Sequence, residues 1–108
     1  MELPVVNHKD YFAKIGDDHK FPITKFGDLA NYLIMKKIVK KFHEPYPCSK
    51  ETLLRAHSEK YIKDITNKTL DENGVKKIGF PLIDSVIKRS FVATGGTVLA
   101  SKLAINTG

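Results

Sequence analysis

The stretch "SFVATGGTVLASKLAINTG", from Ser90 to Gly108, decides how the fold is interpreted. Its apolar residues recur at helical spacing and the pattern extends upstream, which predicts a terminal helix over residues 82–107. Such a helix would be roughly 39 Å long at about 1.5 Å per residue, longer than a small domain is wide. We expect Gly95 and Gly96 to break it, because a glycine inside a helix costs roughly 1 kcal/mol relative to alanine. The same pair would also let another backbone approach closely.

Three further helices are predicted before this stretch. Thr24 is the expected N-cap of a helix that ends near Phe42, because two X-Pro steps that disfavour helical geometry follow. Ser49 and Ser58 are the expected N-caps of two shorter helices. Residues 8–23 lack a sustained period and predict a long loop with one helical turn.

The remaining signals are a turn at Asn73-Gly74 and a few short strands. Pro4–Val6 is a β-branched run that predicts a strand, and Glu44–Cys48 is an extended piece that could form a second. Val5 and Val6 are apolar at consecutive positions, which is typical of a strand buried on both faces. One or two short strands do not form an independently stable sheet. We therefore expect residues 1–108 to be a single partial domain.

Composition excludes several classes of protein. With 108 residues, 42% of them hydrophobic and 28% charged, the chain is typical of one ordered globular domain. No stretch approaches the roughly 20 apolar residues of a membrane span, and no signal sequence is evident, so a cytoplasmic location is expected. The single cysteine, Cys48, permits neither an internal disulfide nor a thiolate zinc site. The spacing of the four histidines fits no compact metal-ligand pair.

The net charge of +6 raises the possibility of nucleic-acid binding. The basic residues are spread along the chain, however, and only Arg55 and Arg89 could make bidentate base contacts. The densest group of lysines, within residues 36–41, falls on the polar side of a predicted helix and favours a solvated face. Nucleic acid is therefore not the expected partner, and no membrane is expected either.

Four blocks of sequence resemble the N-terminal part of the histone deacetylase family. They are "DDHKFPITKFGDL" at 17–29, "ETLLRAHSEKYIKDI" at 51–65, "IGFPLIDSVIKRS" at 78–90 and "TGGTVLASKLAINTG" at 94–108. The order is that of class IV deacetylases and their small bacterial relatives in the arginase/deacetylase superfamily. The resemblance implies an α/β fold with a parallel sheet, of which this chain would supply a mostly helical part with one or two strands. It also implies zinc-dependent hydrolysis of acetyl-lysine or a related acyl amide.

The resemblance further implies which residues lie near the rim of the substrate tunnel. They are His19, Phe21, Lys25, Gly79, Phe80 and Pro81. An alternative remains open for both loops, because the first could simply be packed by its aromatic side chains and the second could be a buried aromatic followed by a helix-starting proline. His57 is expected to be structural, with its imidazole bonded to backbone.

The family's adjacent histidine pair and its zinc-ligand motif have no match here. No catalytic or metal-binding residue is therefore assigned, and zinc is expected only in the intact family domain. We expect an N-terminal fragment of a deacetylase-like hydrolase, inactive alone, whose partner is either a separate chain with the catalytic part or another copy of itself. The alternative is a small basic helical module that binds nucleic acid or self-associates.

Overall fold

The regular structure of the chain is helical. A computed structural model describes residues 4–16 and 19–107; the Asp17-Asp18 start of the first block lies outside that range. A 3₁₀ turn is followed by five α-helices. Their bounds are Lys9–Tyr11 for the 3₁₀ turn, Lys25–Met35 for α1, Lys50–Leu53 for α2, Glu59–Thr66 for α3, Glu72–Ile78 for α4 and Asp84–Thr107 for α5.

Backbone pairing in the described residues is limited to one isolated parallel bridge between Val6 and His43. Two backbone hydrogen bonds, of 2.9 and 3.1 Å, flank it. The described residues contain no strand, so the predicted parallel α/β sheet is wrong for this chain, and with it the arginase/deacetylase fold. The extended backbone on both sides of the bridge is too short to form a β-ladder. The chain enters the 3₁₀ turn at Lys9, and Pro45 and Pro47 lack the N–H groups that a ladder needs.

The terminal helix α5 continues past Gly95 and Gly96, so the predicted break is wrong. Both glycines instead lie where other parts of the chain press against the helix. A Cβ atom at Gly95 would overlap the carbonyl oxygen of Tyr46, and one at Gly96 would overlap the hydroxyl of Tyr11. The expected close approach of another backbone is confirmed at Gly95. These contacts explain why the helix tolerates two adjacent glycines.

The predicted helix starts agree with the structure more closely than the predicted helix ends do. The hydroxyl oxygens of Ser49 and Ser58 accept the N–H groups of Thr52 and Tyr61, at 3.2 and 3.1 Å. Both serine caps are confirmed. Thr24 precedes α1 as predicted, but its side chain makes no capping hydrogen bond.

The helix α1 ends at Met35, well before the predicted end. Lys37 adopts a left-handed conformation with φ of 58°, and the N–H of Ile38 donates to the carbonyl of Leu33 at 3.0 Å. This is the Schellman arrangement that normally uses glycine. Lys68, with φ of 59°, ends α3 in the same way. Lysine is rare in this conformation, so the residue at position 37 gives no signal that α1 stops there.

Two local predictions had opposite outcomes. The helical turn expected within residues 8–23 is confirmed by the 3₁₀ turn. The turn expected at Asn73-Gly74 is wrong, because both residues lie inside α4. The carboxylate of Asp71 accepts the N–H of Gly74 at 2.7 Å and starts the helix there.

The buried core is small and consists of short apolar side chains. Its described members are Ala13, Ile23, Ala30, Val39, Ile62, Val86 and Val92. The molecule measures 47 × 34 × 17 Å, so it is less than two helix diameters thick in one direction. Such a thin body offers little interior in which to bury more.

Candidate functional site

The two loops assigned to the tunnel rim lie against each other. His19 and Gly79 are 60 positions apart, yet Nε2 of the imidazole lies 3.1 Å from the Gly79 carbonyl oxygen. On the same ring, Nδ1 accepts the N–H of Phe21 at 3.0 Å. Both bonds are satisfied together only by the neutral tautomer with its proton on Nε2, which then donates to the carbonyl. The histidine therefore ties its own loop to the second one.

Aromatic rings extend this contact into a corner of flat surfaces. The ring of His19 stacks on Phe80 with centroids 5.1 Å apart and planes at 8°. Phe21 meets Phe80 edge to face, at 5.4 Å and 76°. Phe21 and Phe80 also pack against the buried cluster that contains Val86. Packing against this buried cluster holds the aromatic corner in place.

Two cations lie beside the first loop. The ammonium nitrogen of Lys25 is 5.0 Å from the ring centroid of Phe21 and 5.2 Å from that of Phe26. The Arg89 guanidinium carbon is 5.3 Å from both centroids. Rings attract cations through the negative charge of their faces, so one aromatic pair holds both groups.

Tyr11 and Arg89 also belong to this region, although neither was predicted to lie there. Nε of Arg89 donates to the Tyr11 carbonyl oxygen at 2.8 Å. Burial raises the pKa of the Tyr11 phenol, against the opposing effect of Arg89, and burial lowers the pKa of Arg89. Arg89 and Gly96 are two turns apart on one face of α5, and both lie against Tyr11.

Gly79 and Pro81 differ in how closely they join the cluster. Gly79 has φ of 79° and ends α4, which turns its carbonyl toward His19 and favours glycine at this position. Pro81 is exposed, and α5 starts only at Asp84, so the proline does not begin the helix as the alternative interpretation supposed. Five of the six predicted residues therefore gather around the aromatic corner. That they border a substrate tunnel stays a prediction.

A shallow groove of about 700 Å³ lies beside the corner and opens to solvent. Its lining residues are Ile15, His19, Lys20, Phe21, Pro22 and Gly79. The groove is largely apolar, with one imidazole edge and one lysine at its border. Such a surface suits an extended aliphatic chain better than a highly charged ligand.

The residues that the structure describes do not fit a catalytic zinc ion. Nowhere among them do three His, Cys, Asp or Glu side chains come close enough to share a metal. A catalytic zinc needs three such ligands and an open position for water. His57 is exposed and stacks on Tyr61 at 5.5 Å, so the expected bond from a buried imidazole to backbone is wrong.

Comparison with known proteins adds one relative. The chain is 31% identical over 110 residues to an uncharacterized protein of Picosynechococcus sp.. The relative is much longer. The match takes in all of this chain but 37% of the relative, so the chain spans little more than a third of the relative's length. No family model matches the chain. Within the described residues, none of the helices is both long and apolar enough to cross a membrane.

Proposed function

We propose that these 108 residues supply rim loops and a packing layer to a longer zinc-dependent amidohydrolase similar to histone deacetylases. The substrate class would be acetyl-lysine or a related acyl amide. The observation that supports this most is the contact between the His19 loop and the Phe80 loop, 60 positions apart. The resemblance assigned both loops to one tunnel rim from sequence alone. The absence of a sheet from the described residues does not conflict with this proposal, because the proposed role of these residues is limited to rim loops and packing.

The aromatic corner suits the aliphatic part of an acyl-lysine side chain. Phe21 and Phe80 present ring surfaces at 76° to each other, and methylene groups pack well in such a corner. His19 uses both ring nitrogens to hold the two loops and therefore acts as a positioning residue. Lys25 borders the corner as a cation over Phe21.

The zinc ion and the base that activates water would be supplied by polypeptide outside these residues, because the described part of the chain does not fit the ion. The partner is either the rest of a longer chain or a separate chain with the catalytic part. The low cysteine content of these residues, one in 108, favours a cytoplasmic location for the protein. A nucleic-acid role has less support, because the basic residues are spread along the sequence and include only two arginines.

The test is to reconstitute the longer protein and measure hydrolysis of an acetyl-lysine peptide with added zinc. The reading frames that flank the codons for these residues provide the missing polypeptide. We expect no hydrolysis by the 108-residue chain alone and zinc-dependent hydrolysis by the reconstituted protein. Hydrolysis by the chain alone, or none after reconstitution, would contradict the proposal.

A pair of variants tests the role of the corner. Phe80→Ala should lower kcat/KM of the reconstituted protein about fivefold, since one stacked ring contributes roughly 1 kcal/mol beyond its burial. Phe12→Ala is the matched control, because Phe12 is half exposed and makes none of the ring contacts described for the corner. Equal loss in both variants would point to general destabilisation and would remove the assigned role.

A further inference from the structure

The outward side of α1 carries a row of large apolar side chains. Leu29, Tyr32 and Met35 follow at a spacing of three, which makes them neighbours on a helix, and Ile38 is exposed in the turn that ends it. Their exposed fractions are 57%, 50%, 68% and 58%. Together these four residues form the α1 row. Contiguous exposed apolar surface of this kind is typical of an interaction site.

Lysines border the α1 row. Lys25 and Lys36 lie at its two ends and Lys37 follows, whereas Asp28 is the single carboxylate of α1. The ammonium nitrogen of Lys36 is 5.8 Å from the centroid of the Tyr32 ring, which belongs to the row. In residues 4–16 and 19–107, no carboxylate lies within ion-pair distance of Lys36 or Lys37. The face is therefore apolar with a positive border that is not neutralised.

The chain also exposes more surface than its mass requires. Its accessible area is 8127 Å² at 12.2 kDa, against about 6,100 Å² for a compact monomer of that mass. The excess of about 2,000 Å² is comparable with the area that a permanent interface buries. The relative from Picosynechococcus carries nearly two thirds of its length outside the match. Both observations indicate a large missing partner surface.

We propose that the α1 row docks an apolar surface bordered by Asp and Glu side chains on the polypeptide outside these 108 residues. The inference rests on the proposed function only in assuming that such a polypeptide exists. The acidic border follows from charge complementarity with Lys25, Lys36 and Lys37, which steers association and fixes orientation.

A second copy of the chain is a poor occupant for the same face. A two-fold dimer places identical surfaces opposite each other. The border of the α1 row has three lysines and one aspartate, so two copies would bring two positive borders together, and each copy carries a net charge of +6. Like charges across an interface oppose association.

Binding of the polypeptide encoded by the flanking reading frames, measured by titration calorimetry, tests this docking surface. Met35→Gln and Lys36→Glu should each weaken the Kd about tenfold, because one removes apolar contact and the other reverses a border charge. The controls make the same changes elsewhere. Ile105→Gln on α5 and Lys76→Glu on α4 alter exposed residues on other helices, and each should bind within about twofold of the parent chain. Raising the salt concentration should weaken binding of the parent chain and affect Lys36→Glu less.

Several results would overturn the inference. The first is that neither Met35→Gln nor Lys36→Glu changes the Kd. The second is that the polypeptide does not bind, or that no coding sequence flanks these residues. The third is that the chain associates with itself and that Met35→Gln abolishes this association. Binding of the chain to phosphatidylglycerol vesicles, lost in Lys36→Glu, without binding to the polypeptide would also overturn it. The hydrolysis assay is independent. Docking through the α1 row without hydrolysis removes the proposed activity alone, whereas hydrolysis with an indifferent α1 row removes the docking surface alone.

Discussion

The position of Gly95 joins two distant parts of the chain. The N–H of Cys48 donates to the carbonyl of Phe91 at 2.9 Å, one helical turn before this glycine. A Cβ atom at the glycine would overlap the carbonyl oxygen of Tyr46. A side chain here would push the extended segment away from α5 and break that hydrogen bond. This position therefore requires a residue without a side chain.

Substitution of Gly95 tests this requirement. Gly95→Ala should lower the free energy of unfolding by about 2 kcal/mol, because overpacking against backbone outweighs the better helix propensity of alanine. Gly27→Ala is the control, since that helical glycine has no atom within 4 Å of an added Cβ and should gain up to about 1 kcal/mol. Urea unfolding followed by circular dichroism measures both. A Gly95→Ala chain as stable as the parent would show that the segment does not reach α5.

The partly buried phenol of Tyr11 should make the protein lose stability at alkaline pH. Its pKa is raised above 10.0 by burial, with Arg89 opposing the shift. Stability from a group with a raised folded-state pKa is fully present below the unfolded value and is lost as pH rises through the folded value. The free energy of unfolding should therefore fall above about pH 10, and less so in Tyr11→Phe. Unfolding curves between about pH 8 and 11 for both proteins decide the point, and identical curves would contradict it.

Helix caps show which elements a sequence can specify. Ser49 and Ser58 were identified correctly because a cap depends on residues within one turn. The end of α1 was missed, since it relies on Lys37 in a left-handed conformation. The sheet was wrong because two adjacent valines satisfy a strand pattern whether or not a neighbouring strand exists.

The candidate site likewise contains residues that were predicted from the sequence and residues that were not. The two loops were identified from the resemblance, and the structure brings five of their residues together. Arg89 and Tyr11 were missed because their contact spans 78 positions and neither residue type in that setting announces a partner. Long-range contacts depend on how elements pack, which local propensity does not determine.

The serine cap of α3 provides a test at the scale of an element. Ser58→Ala should cost about 1 kcal/mol, because the N–H of Tyr61 loses its acceptor. Thr24→Ala removes a hydroxyl from an equivalent N-cap position that makes no capping bond, so its cost should be well under about 0.5 kcal/mol. Thermal unfolding of both variants gives the comparison. Equal costs would mean that the hydroxyl of Ser58 does not cap α3 in solution.

At the scale of the whole molecule, an extended shape and an open α1 row are parts of one property. The Cα radius of gyration is 15.6 Å, against about 13 Å for a compact domain of this length. Domains normally pack two layers of secondary structure around a core, and a body 17 Å thick has room for little more than one. Exposed apolar side chains on α1 are what a missing second layer would leave behind.

Small-angle scattering of the isolated chain, at concentrations where sedimentation shows a monomer, should therefore give a radius of gyration near 15.6 Å. A value of about 13 Å would mean that the helices close over the α1 row by themselves, and the chain would then have no need of an outside surface. The variant Met35→Gln separates these states further. It should leave the radius of an open chain unchanged, because Met35 is 68% exposed, but should expand a chain that had closed over this residue.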